Sequence, residues 1–148
     1  METDLLANLI AKKHDVLIGL RDLSRRQSSI LGEGDMSRLL SVLATKQQQL
    51  DELQQLEKQI DPFRDQDPDQ RIWRSTADRD RCRQVAERCE SLLREIMLME
   101  KQCESDLIIR RDETAELLQG THTATEARTA YSQPNYPTIG QLDVTSET

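Results

Sequence analysis

Hydrophobic positions along the chain recur at three- and four-residue steps over three long segments, the spacing of helices that pack against helices. The first segment carries Leu6, Leu9, Lys13, Val16, Leu20, Leu23, Gln27 and Ile30, widened by Ile10, Leu17 and Leu31 into a broad apolar face. This pattern predicts a helix over about 4–31 with Asp4 as its N-cap. The second segment, over about 36–60, reads Leu39, Leu43, Lys46, Leu50, Leu53, Glu57 and Ile60, with Leu40 and Leu56 beside them, and Asp61-Pro62 is expected to end it because proline disfavours helical geometry at the residue before it. Between the two, Gly32-Glu33-Gly34-Asp35 supplies a glycine stop and an acidic cap, the punctuation of a tight helix-to-helix turn.

The third segment is the longest. From 69 to 119 the chain runs 51 residues without glycine or proline, and Cys82, Val85, Cys89, Leu92, Ile96, Met99 and Cys103 form one seam. Ser75 or Thr76, with Asp78 close behind, caps its start, and the predicted helix spans about 76–118. After Cys103 the seam slips by four residues to Leu107, Arg111, Thr114 and Leu118, the spacing of a stutter. At about 1.5 Å per residue the three helices measure roughly 42, 38 and 65 Å, so the third overshoots by about fifteen residues, beginning near Glu104. Leu107, Ile108, Ile109, Leu117 and Leu118 then need another surface to cover them.

The expected fold class is all-α: an elongated antiparallel three-helix bundle or coiled coil over 1–119 with a long third helix. Residues 61–75 form a connector broken by Pro62 and Pro68. Residues 120–148, rich in Thr, Ala, Ser, Gln and Pro, are expected to be a flexible tail. All four aromatics, Phe63, Trp73, Tyr131 and Tyr136, are expected outside the helices.

Composition narrows the function. The chain of 148 residues has 36% hydrophobic but only 3% aromatic residues, so its core is thin and aliphatic, which disfavours a compact enzyme with a deep pocket. A net charge of −7 disfavours nucleic acid and anionic membranes and favours a protein partner. No stretch reaches the roughly 20 apolar residues that span a bilayer, and the acidic start lacks the basic opening of a signal peptide, so the expected location is cytoplasmic. The three cysteines share one face of one helix and cannot pair within it, which fits a reducing compartment. Cys82 and Cys89 lie two turns apart, about 10 Å, too far to share a zinc ion. His14 and His122 have no catalytic neighbours in sequence, and the arginines at 71, 74, 79, 81 and 83 alternate with aspartates as a mixed-charge surface. No cofactor, metal site or catalytic residue is expected.

Three stretches give the chain a family likeness. Leu31-Gly32-Glu33-Gly34-Asp35 through Leu39, Leu43 and Lys46, the run LMEKQCESDLIIRRDETAELLQG from Leu98, and Ala130-Tyr131 together resemble the FlgN-type flagellar export chaperones over about residues 1–131. The resemblance implies a small acidic helical protein that binds C-terminal helical segments of hook-associated, hook-filament junction proteins. It would keep them from assembling early and deliver them to the flagellar type III export apparatus. Carried over by position, the cargo-facing residues are Leu107, Ile108, Leu117 and Leu118, and Tyr131 is the candidate for docking at the export gate. The alternative is a homo-oligomeric coiled-coil scaffold or tether in which 104–118 pair with their own copy. The chaperone is expected to be monomeric or at most weakly dimeric.

Overall fold

The computed structural model describes residues 1–132 and is all-α. Helices α1 (Glu2–Glu33), α2 (Met36–Arg64) and α3 (Thr76–Ser132) follow in order, with a short 3-10 turn at Pro68–Gln70 in the connector. The chain divides into two compact units, Met1–Leu107 and a second from Ile108 onward.

The first unit is an up-down-up three-helix bundle. Contacts between α1 and α2 run antiparallel: Lys13 Nζ lies 2.6 Å from Glu57, and Lys46 Nζ donates to Gln27 Oε1 at 2.6 Å. Contacts of α1 with α3 and the connector just before it run in parallel, from Asp4 with Arg74 of the connector, through the Ile10 carbonyl with the Cys89 thiol, to Ser28 with Cys103 at 3.3 Å. The expected turn forms: Gly34 takes the left-handed conformation (φ 76°) and its N–H closes α1 on the Ile30 carbonyl. Asp35 then caps α2 by accepting from the Arg38 N–H. Ser75 caps α3 in the same way, its hydroxyl accepting from the Asp78 N–H at 3.1 Å.

The α1 face packs as its spacing dictates, with Leu6, Leu9, Val16, Leu17, Leu20, Leu23, Ile30 and Leu31 buried. On α3, Cys82, Cys89, Leu92 and Cys103 are buried on the expected seam, and all three cysteines are free thiols. The seam of α2 differs from expectation. Leu43 and Leu50 are 39% and 44% exposed, while Val42, Leu56 and Phe63 turn inward beside Leu39, Lys46, Leu53 and Ile60. Gly19 leaves room for the Gln49 amide of α2: a Cβ there would stand 2.7 Å from its Oε1, a clash that the flexible glutamine side chain could relieve by moving.

Three boundaries also differ. Helix α1 begins at Glu2, which places Asp4 inside its first turn, where the carboxylate accepts from Arg74 Nε at 2.8 and 3.0 Å. That hydrogen bond, with the positive charge behind it, holds the Asp4 carboxyl below its ordinary value. Helix α2 runs through Pro62 to Arg64. Proline there costs one N–H in the last turn, and the burial of Phe63, an aromatic expected in the connector, holds that turn onto the core. Helix α3 continues through Gly120 to Ser132, so 120–132 is helical where a tail was expected. Residues 133–148, including Tyr136, lie outside the described residues.

Two apolar clusters build the core. One joins residues from Leu6 to Leu20 with Leu56, Ile60, Phe63, Cys89 and Leu92; the other joins Ile30, Leu31, Leu39 and Cys103. Between them sits a polar node. The Lys46 ammonium, on a residue only 7% exposed, meets Gln27 of α1 and Glu100 of α3, and the Ser24 hydroxyl donates to the same Glu100 oxygen at 2.9 Å.

Hydrogen bonds to charged groups contribute roughly 1.5–3 kcal/mol, and the 41% exposure of the Glu100 side chain lowers that figure. A double-mutant cycle with Lys46→Ala and Glu100→Ala, followed by urea unfolding, is therefore expected to give a coupling of about 1–2 kcal/mol. A coupling near zero would contradict the node. A second test uses Glu57. Burial pushes its carboxyl up, but the hydrogen bonds and charges of Lys13 and Arg64 outweigh this and hold it below the ordinary glutamate value. A lowered folded pKa gives stability that is present above the unfolded value and lost as pH falls through the folded one. Stability should decline from about pH 5 towards pH 3, and less steeply in Glu57→Gln; equal slopes would show that Glu57 does not contribute.

Candidate functional site

Every side chain described from Ile108 to Tyr131 is exposed. The helix is held locally by bonds such as Thr123 to the Gln119 carbonyl and Thr125 to the Thr121 carbonyl, both at 2.9 Å, and by His122 with Glu126 at 3.0 Å. Contacts of this kind, on a surface open to water, are individually weak.

The four residues expected to face cargo are all exposed, but they do not share one face. Leu107 is the last residue of the first unit and is 43% exposed, as is Ile108 at the start of the second. Ile108 and Leu117 are 72% exposed at most and lie nine positions apart, which at about 100° per residue sets them on opposite sides of the helix. Leu118, 66% exposed, points about 100° away from Leu117.

One face of the second unit is continuous. Leu117, Gly120, Ala124, Ala127 and Tyr131 recur at alternating three- and four-residue steps, the spacing of a seam prepared for another helix. The first part of it borders a shallow groove lined by Glu113, Glu116, Leu117, Gly120, Thr121 and Ala124. Small residues in the middle permit close approach of a second backbone, and the larger Leu117 and Tyr131 stand at either end. Tyr131 was expected in a tail. It lies instead on the last turn of α3, 92% exposed, on the same face as Leu117. The signal for this face is present in the sequence, but reading Gly120 as a stop and the threonines as a tail hides it.

A second apolar surface lies in the first unit. Because α2 turns Val42 and Leu56 inward, Met36, Leu40, Leu43 and Leu50 form an exposed stripe at helical spacing on its outer side. The sequence reading missed it by assigning Leu43 and Leu50 to the core.

Reactive groups are few. Burial pushes the thiols of Cys82 and Cys89 up, against the opposing charges of Arg71 and Lys13 respectively, so both are held as weak nucleophiles. His14 is half-buried beside Asp15, at 3.9 Å. Among the described residues no group of three His, Cys, Asp or Glu side chains is placed to hold a metal ion, and no helix is long and apolar enough to cross a membrane. A scan against protein-family models gives no match, and searches of curated proteins and of solved structures give none.

Proposed function

We propose that this chain is a non-enzymatic export chaperone of the FlgN type, working in the cytoplasm without cofactor or metal. Its cargo would be the C-terminal helical segments of flagellar hook-associated proteins, and its destination the flagellar type III export apparatus. The observation that carries this reading is the exposed face Leu117, Gly120, Ala124, Ala127 and Tyr131 on a helix segment whose described side chains are all exposed. An isolated helix of this length is marginal in water, so a partner that buries one face both binds it and stabilises it. The sequence likeness to the family adds the identity of the cargo.

The mechanism follows from helix pairing. A cargo helix laid along this face hides the apolar surface through which junction proteins would assemble with one another, and it leaves when a competing surface takes its place. Leu117 and Leu118 would contact cargo, with Leu107 and Ile108 flanking the start of the helix. Leu117 and Tyr131 are fourteen residues, about 21 Å, apart along one stripe. A cargo helix of four turns would therefore cover Tyr131 as well, which makes cargo binding and docking of Tyr131 at the export gate compete for the same surface. A second reading, a homo-oligomeric scaffold, is favoured by one observation, the exposed stripe Met36, Leu40, Leu43 and Leu50 on α2.

Calorimetric titration with C-terminal helical segments of the hook-filament junction proteins from the same genome, alongside light scattering of the protein alone, separates the two. The chaperone reading expects one-to-one binding by a monomer. It also expects Leu117→Asp with Ala124→Asp to weaken binding by at least ~100-fold, roughly 2.7 kcal/mol, with the melting temperature nearly unchanged because both sites are exposed. A tight dimer or tetramer that binds none of these segments would favour the scaffold.

A further inference from the structure

Where the connector crosses from α2 to α3, residues of the first unit enclose a cleft of about 460 Å³. Its inner wall is apolar: Leu6 belongs to the core, and Ile10 and Trp73 pack half-buried against it. Its rim is cationic, with Arg71, Arg79 and Arg83 lining it.

These three arginines differ from their neighbours in how they are paired. Arg74 and Arg81 each have a close carboxylate partner of their own, Asp4 and Asp78. Arg79 and Arg83 share a single oxygen of Asp80 at 3.7 and 3.4 Å, which leaves most of both guanidinium forks unused. Arg71 donates through Nη2 to the Phe63 carbonyl, while its Nε is buried without a partner.

We propose that this cleft binds an acidic peptide segment, seating one apolar side chain against Leu6, Ile10 and Trp73 and presenting carboxylates to Arg71, Arg79 and Arg83. The planar guanidinium fork matches a carboxylate in two-point geometry. The apolar wall requires a side chain between those carboxylates. Asp69 at the same rim and Asp80 beside Arg79 and Arg83, on a chain of net charge −7, repel a densely charged polyphosphate or nucleic acid and tolerate the sparser charge of an acidic peptide. The site uses none of residues 108–131 and stands independently of the export-chaperone reading.

Trp73 is the only tryptophan in the chain, so its emission reports on the cleft directly. The probes are capped peptides Asp-Glu-X-Glu-Asp, with leucine, phenylalanine or alanine at X, titrated into the full-length protein. The expected result is a saturable emission change with leucine or phenylalanine at X and none with alanine. Arg79→Gln with Arg83→Gln, two exposed positions whose loss should leave the circular-dichroism melt unchanged, should weaken binding at least ~fivefold. Added salt should weaken it too. The proposal is overturned if no peptide gives a saturable change, if the arginine pair makes no difference, or if inorganic pyrophosphate gives the same response, which would mark a general anion site.

Discussion

The buried ammonium of Lys46 constrains this bundle more than any apolar contact does. A leucine can slide by part of a turn and still be covered, but a cation inside an apolar core needs its acceptors where it stands. Gln27 comes from α1 and Glu100 from α3, so satisfying Lys46 fixes the axial position of α2 against both neighbours. Ser24, donating to the same Glu100 oxygen, ties α1 to α3 at that level. The apolar clusters on either side can then close in one register, one towards Phe63 and the other towards Cys103.

Much of this was legible in the chain because the signals were local. The α1 face, the Gly34-Asp35 turn, the Ser75 cap and the cysteine seam each rest on a few adjacent residues whose chemistry admits one arrangement. The α2 seam was not legible for a specific reason. Leu39, Lys46, Leu53 and Ile60 belong to two overlapping stripes, one continued by Leu43, Leu50 and Glu57 and the other by Val42, Gln49, Leu56 and Phe63. Counting leucines favours the first. The second prevails because it buries Leu56 and Phe63 in the core with residues of α1 and α3, an effect that depends on residues far away in sequence. Pro62 and Gly120 misled in the same way: each weakens a helix by an amount that the rest of the helix can absorb.

The candidate site was legible in part. The slip after Cys103 marked the end of the bundle's own seam, and Leu117 and Leu118 are exposed. The continuation through Gly120 and Ala124 to Tyr131 was missed because small residues give little hydrophobic signal, although they are what close helix pairing uses. The buried polar node and the exposed end of α3 therefore belong to one account: the first unit carries its own core, and the described side chains from Ile108 to Tyr131 are all exposed, which is the surface the proposed partner would cover.

Hydrogen exchange on the free protein tests that claim most directly. The account predicts that amides of 108–132 exchange at least ~100-fold faster than those flanking Lys46, and that a hook-associated C-terminal segment slows them selectively. Equal protection of 108–132 and of the bundle core in the dilute, monomeric protein would contradict it, because that helix would then be stable without a partner.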